Sequence, residues 1–140
     1  MSQEKAINIS LFLLRVVAMV MFIQVGGLKL FGWFGGLPPQ VPLAGLILAA
    51  GILEFFGGIA VLLGIFTRPI AFILSGEMAF AFFMGHFKMA TPWPVQNHGE
   101  LAVFFCFFFL FLSAYGAGKL SLDGWMKSRK AALQKASSTL

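Results

Sequence analysis

The chain has few charged residues and very little cysteine. Asp, Glu, Lys and Arg make up 11% of its 140 residues, less than half of the roughly 25% in a typical soluble domain. Cys106 is the single cysteine, which excludes an internal disulfide and a cysteine-based metal framework. The sequence also lacks a Ser-His-Asp set, a phosphate-binding loop and a dinucleotide fingerprint. Enzyme classes that depend on those motifs are therefore disfavoured.

Hydrophobic residues are correspondingly abundant. They form 59% of the chain, with 18 Phe, against about 45–50% in soluble domains. Four apolar segments stand out, at about 6–27, 43–64, 69–87 and 99–116. A helix of about 20 apolar residues spans the roughly 30 Å hydrocarbon core of a bilayer. We therefore predict an all-α polytopic membrane protein, an antiparallel bundle of four transmembrane helices within residues 1–125, followed by a basic, flexible tail over 126–140.

The basic residues are distributed unevenly between the two ends of this bundle. With four spans, both termini and the turn after the second helix share one side, which holds seven basic residues: Lys5, Arg68, Lys119, Lys127, Arg129, Lys130 and Lys135. The other side holds Lys29 and Lys88. The positive-inside rule then predicts cytoplasmic termini. Anionic lipid explains the net charge of +5 better than nucleic acid does, because the spans leave no room for a soluble basic domain.

Three charged residues fall in the central parts of the predicted spans, namely Arg15, Glu54 and Glu77. Small residues lie three and four positions from Glu54, which favours close helix packing around it and an interior position for the carboxylate. We expect Arg15 to pair with both acids. One cation and two carboxylates leave a negative charge that needs a proton, water or a ligand. Two interpretations stay open, a ligand or proton site and a buried polar lock that only fixes the bundle's register.

A second polar cluster is predicted at the outer connections of the bundle. We expect it to form a mouth above the central charges, lined by Lys29, His86, Asn97, His98 and Glu100. A metal site needs three or four convergent ligands, and these spacings do not supply them, so no metal is predicted. Asn97 or His98 is expected to cap free amides at the start of the fourth helix.

Several runs of the sequence resemble those of one known family. They are GGLKLFGWFGG (26–36), LEFFGGIAVLLGIFTRP (53–69) with GEM (76–78), NHGE (97–100) and GAGKLSLD (116–123). Together they resemble the DoxX family of small bacterial membrane proteins over roughly residues 10–125. The resemblance implies a four-helix bundle in the bacterial inner membrane. It also implies association with thiosulfate:quinone oxidoreductases, redox-stress complexes, or maturation and export operons. Many relatives carry His-Gly where this chain has Val25-Gly26, so any chemistry of that His is missing here.

The expected function is a non-catalytic membrane subunit or anchor of a redox or stress-related complex. Quinone is its candidate ligand, and a soluble redox protein is its candidate partner. The alternatives are a small-anion or lipid carrier and a purely structural accessory protein. A stand-alone oxidoreductase is disfavoured because the chain has no thiol pair and no nucleotide motif. Glycine-rich helix faces also make a homo-oligomer an expectation.

Overall fold

The structure, a computed structural model, describes residues 2–137. Within that range the regular elements are helices, and the extended pairing is limited to an isolated bridge between Lys88 and Thr91. The longer helices are α1 (Gln3–Phe31), α2 (Gly45–Leu63), α3 (Thr67–His86), α4 (Glu100–Tyr115) and α5 (Leu122–Ser137). Single turns at Trp33–Gly35 and Pro94–Asn97 lie in the connections. The prediction of an all-α fold is confirmed.

Three of these helices, α1 to α3, are long and apolar enough to cross a membrane. With 29 residues, α1 is about 43 Å long and exceeds the roughly 30 Å hydrocarbon core. The fourth helix of the bundle, α4, is also apolar but has 16 residues, which corresponds to about 24 Å. Length and composition thus identify three spans, and the fourth stays a prediction.

The core of the bundle is shared by all four helices. Helix α4 packs along α3, and α1 packs along α2. The most deeply buried apolar side chains come from each of them: Met19, Phe22, Val61, Leu74, Phe109 and Leu112. The outward faces are equally apolar, and Phe72 and Phe107, for example, are 66% and 65% exposed. An apolar surface of this kind suits contact with lipid tails.

Helix α1 continues past the point where the sequence predicted its end. Gly26 and Gly27 are buried inside the helix, which ends at Phe31 before a left-handed Gly32. A Cβ on Gly26 would lie 2.5 Å from the backbone nitrogen of Phe55. This glycine therefore serves the close approach of α1 and α2 and does not end the helix. As a result Lys29 belongs to the last turn of α1 and not to a loop.

The C-terminal segment is helical. The basic tail expected over 126–140 belongs to α5 through Ser137, and residues 138–140 lie outside the described range. Its start is fixed by Asp123, whose carboxylate accepts hydrogen bonds from the backbone N–H groups of Phe66 (3.1 Å) and Thr67 (3.0 Å). The Asp123 N–H in turn donates to the carbonyl of Gly64. These contacts give α5 a fixed origin at the α2–α3 turn.

Candidate functional site

A buried ion pair joins α1 to α2. The Nζ of Lys29 lies 2.6 Å from Oε1 of Glu54, and their side chains are 18% and 4% exposed. Glu54 belongs to a π-helical turn, Leu53–Gly57, in the middle of α2. Such a turn holds one more residue than an α-helical turn and is frequent at functional sites. The wider turn is the local structure that carries the carboxylate at the α1–α2 interface.

Glu77 of α3 adds a second acid to this centre. It is close enough to Glu54 and Lys29 to interact with both electrostatically. Within residues 2–137, neither carboxylate oxygen of Glu77 has a hydrogen-bond partner, and Oε2 of Glu54 also lacks one. Lys29, Glu54 and Glu77 thus form a group of one cation and two carboxylates, in which Lys29 and not the predicted Arg15 is the cation.

Arg15 does not take part in this centre, so its predicted pairing with Glu54 and Glu77 is wrong. Its buried guanidinium donates to the carbonyl of Ala117 and, at 2.7 Å, to the carbonyl of Leu120. These carbonyls lie in the segment between α4 and α5, outside any regular helix. Lys29 lies 14 residues after Arg15 on the same helix, about 21 Å along the axis. Arg15 thus fixes the end of the bundle that holds the termini.

A cavity of about 330 Å³ opens beside the Lys29–Glu54 pair. Its walls come from α1 to α4 and the connection before α4: Phe22, Val25, Lys29, Glu54, Met78, Ala81, His86, His98, Leu101, Ala102 and Phe105. The volume falls in the range of small-molecule sites, roughly 300–1,000 Å³. Apolar walls with a few convergent polar groups are typical of such sites.

The rim of the cavity is organised by Asn97. Its Oδ1 accepts from the N–H of Gly99 at 3.0 Å, its Nδ2 donates to the carbonyl of Thr91, and its own carbonyl lies 3.1 Å from Nδ1 of His86. His86 ends a second π-helical turn, Phe82–His86. Asn97 therefore orders the loop and the amide of Gly99 before α4, whereas no side chain among the described residues caps the first amides of α4 itself.

Comparison with known proteins assigns the chain to a family. The DoxX family model matches residues 10–87, which is more than half of the chain. The chain belongs to the DoxX family. An uncharacterized protein of Haemophilus influenzae is 40% identical over 114 residues, covering 79% of this chain and 85% of the relative. No solved structure is significantly similar to this DoxX protein. The family and the apolar helices identify it as a membrane protein in contact with lipid.

The predicted mouth residues of this DoxX protein fall into two groups. Lys29, His86 and His98 line the cavity. Asn97 supports the rim, and Glu100 is exposed in the first turn of α4. In the described part of the chain, no group of three or more His, Cys, Asp or Glu side chains is placed to hold a metal ion.

The polar groups of the cavity have complementary chemistry. The Lys29 ammonium donates hydrogen bonds, the Glu54 carboxylate accepts them, and the ring nitrogens of His86 and His98 donate or accept according to the tautomer. Lys29 was expected at the mouth, and its contact with Glu54 was not predicted. If Gly26 and Gly27 are interpreted as packing residues inside a longer helix, α1 extends to Lys29 and the contact becomes predictable.

Proposed function

We propose that this DoxX protein is a membrane subunit that binds a quinone headgroup in the cavity and supports a redox complex. The observation that carries the proposal is the set of buried carboxylate oxygens, on Glu54 and Glu77, that have no donor in the described part of the protein. Glu54 lines a small-molecule-sized cavity inside the apolar bundle, and Glu77, next to the cavity residue Met78 in the chain, interacts electrostatically with Glu54. A lipid-soluble ligand reaches such a cavity from the bilayer.

The donor and acceptor groups fit both redox forms of this ligand. The carbonyl oxygens of a quinone accept hydrogen bonds, which the Lys29 ammonium supplies. The hydroxyl groups of the reduced form donate, and the unpaired oxygens of Glu54 and Glu77 accept. The rings of Phe22 and Phe105 form apolar walls of the cavity. A bound quinone supplies two-electron, two-proton carrier chemistry, and Glu77 and His86 are the residues we assign to proton exchange.

The electrons in this proposal come from a partner protein. A dithiol–disulfide couple within the chain is excluded because Cys106 is the single cysteine. Its thiol lies 3.7 Å from the hydroxyl of Ser75 on α3. We therefore assign this DoxX protein the role of a non-catalytic subunit that presents quinone to a soluble redox partner.

We also propose four spans with both termini on the cytoplasmic side of the bacterial inner membrane. The seven basic residues on the side of the termini support this orientation. The test is cysteine labelling in a Cys106→Ala background. A membrane-impermeant maleimide should label Lys88→Cys in intact cells and Ser2→Cys only after permeabilisation. The opposite pattern would reverse the orientation, and labelling of both sites from outside would require an even number of spans between residues 2 and 88.

Two alternatives make different predictions for the same cavity. A small-anion carrier would have to overcome the two carboxylates beside Lys29, which repel an anion. A purely structural polar lock would bind nothing. If the centre is only such a lock, substitutions at Glu54 and Glu77 should reduce stability without altering any ligand affinity.

The deciding experiment measures binding of a short-tailed ubiquinone analogue to the purified protein in nanodiscs. Glu54→Gln and Glu77→Gln each remove a charge-assisted hydrogen bond, and we expect about tenfold or greater loss of affinity. Glu100→Gln, an exposed acid outside the cavity, is the matched control and should bind as the parent does. A folded parent protein that binds no quinone would refute the proposal. If Glu54→Gln and Glu77→Gln are both destabilised but their folded fraction binds quinone as the parent does, the polar centre is only a structural lock.

A further inference from the structure

Helix α5 is nearly free of contacts with the bundle. Every residue from Trp125 to Ser137 is exposed. A helix of 16 residues is only marginally stable in water without tertiary packing. A surface outside the described contacts must therefore support it.

Apolar side chains gather on one face of α5 with Arg129 among them, and Lys127 and Lys135 lie on the opposite face. Leu122, Trp125, Met126 and Leu133 follow the three- and four-residue spacing of one helix face, and they are 42%, 56%, 48% and 65% exposed. The guanidinium of Arg129 lies 5.3 Å from the centre of the Trp125 ring. An arginine held on an indole in this way keeps its charge at the level of the aromatic ring. This combination is typical of helices that lie at a membrane surface.

The origin of α5 lies where the apolar helices end. Asp123 binds the first amides of α3, Arg15 of α1 binds the carbonyl of Leu120, and the N–H of Lys119 donates to Asn8 Oδ1 at 3.0 Å. The contacts tie the start of α5 to the first half of α1, the end of α2 and the start of α3. In the proposed topology this end of the bundle faces the cytoplasmic surface of the membrane.

A cavity of about 600 Å³ lies at the base of α5 and carries positive charge. Arg68 and Lys127 line it, and neither forms an ion pair within residues 2–137. The third cation of the cavity, Lys119, is paired with Glu4. Thr67 contributes a buried hydroxyl without a hydrogen-bond partner. Asp123 also lines the cavity, and its carboxylate accepts from the backbone N–H groups of Phe66 and Thr67. The cavity keeps a net positive charge, and Arg68, Lys127 and the Thr67 hydroxyl match the oxygen atoms of a phosphate group.

We propose that α5 and the cavity at its base form a binding surface for anionic phospholipid headgroups. The apolar face of α5 inserts between the lipids, and the phosphate meets Arg68 and Lys127. The position at the membrane boundary and the excess of basic residues favour lipid over a second copy of this basic chain, which would add like charge. This proposal is independent of the quinone proposal, because the two cavities share no lining residue.

The test uses the full chain with Trp33→Phe and Trp93→Phe, so that Trp125 is the single fluorophore. In nanodiscs of phosphatidylglycerol with brominated tails, Trp125 fluorescence should be quenched. In phosphatidylcholine nanodiscs with the same tails it should be quenched much less. The double variant Arg68→Gln/Lys127→Gln should weaken the docking equilibrium roughly thirtyfold, by the usual worth of two basic residues at an anionic surface. Lys88→Gln, on the opposite side of the bundle in the proposed topology, is the control and should change nothing.

Hydrogen exchange of the α5 amides provides a second measurement that does not depend on the tryptophan variants. Stronger protection in phosphatidylglycerol than in phosphatidylcholine supports the proposal. Equal protection and equal quenching in the two lipids would overturn it. Protection that requires two copies per nanodisc would assign the surface to self-association instead. Protection by inorganic phosphate alone in phosphatidylcholine would assign the cavity to a free anion and would also overturn it.

Discussion

The ammonium of Lys29 and the carboxylate of Glu54 approach to 2.6 Å across the α1–α2 interface, where little solvent reaches either group. A buried pair of this kind is more sensitive to loss of one partner than to loss of both, because the remaining charge is left without compensation. The neighbouring Glu77 makes the asymmetry larger, since removing Lys29 leaves two acids and no cation.

We predict that Lys29→Met lowers the free energy of unfolding by about 3–5 kcal/mol. The double variant Lys29→Met/Glu54→Met should recover most of that loss because both charges are gone. Equilibrium unfolding in mixed micelles measures both values. If the single variant is as stable as the parent, the pair does not exist in the folded protein.

Two glycine substitutions should have opposite effects. Gly26→Ala places a methyl group against the backbone of Phe55 and should cost about 1–3 kcal/mol through overpacking. Gly76→Ala on α3 meets open space and should be neutral or stabilise by up to about 1 kcal/mol through helix propensity. Thermal unfolding of the two variants side by side tests the α1–α2 approach. Equal stability would mean that Gly26 lies in open space.

Asp123→Ala should weaken the junction between α5 and the bundle. It removes the acceptor of two backbone N–H groups, at Phe66 and Thr67, and loss of such a cap costs about 0.5–2 kcal/mol. The amides of Phe66 and Thr67 should then exchange hydrogen faster, while the amides in the middle of α3 should not. Uniform acceleration along α3 would point to global destabilisation and would argue against a capping role.

Arg15→Gln should loosen the segment after α4 and leave the central cavity intact. The parent guanidinium binds two carbonyls, and hydrogen bonds from a charged donor are worth about 1.5–3 kcal/mol each. We expect faster proteolysis within residues 116–121 and unchanged affinity for the quinone analogue. A loss of quinone affinity without faster proteolysis would indicate that Arg15 belongs to the central site.

The sequence was a good guide to the helices because apolar length and turn residues report directly on them. The antiparallel pairing of α2 and α3 follows from the short turn between Gly64 and Thr67. The acidic half of the polar centre was also predictable, since Glu54 and Glu77 are the acids within apolar segments. The orientation of the termini and the number of membrane spans rest on the same residue counts and stay predictions.

Apolar length and turn residues did not predict that Lys29 is the cation of the centre. Gly26 and Gly27 look like a helix end in sequence, and their packing against Phe55 and Trp33 depends on contacts across the bundle. Arg15 satisfies carbonyls of Ala117 and Leu120, and such a contact over 100 residues leaves no periodic signal. The π-helical turn at Glu54 likewise depends on packing and has no composition of its own. Tertiary contacts, not local propensity, decided these features.

The position of Arg15 has a consequence for biosynthesis. Its carbonyl partners on Ala117 and Leu120 are separated from it by 102 and 105 residues. Helix α1 therefore leaves the ribosome with an arginine whose final partners are made only after α2, α3 and α4. Until then the guanidinium must remain in contact with water or lipid headgroups. Release of a chain that stops at Tyr115 would leave this charge permanently without its partners, so assembly of the first helix is completed only after the segment that follows α4 has been translated.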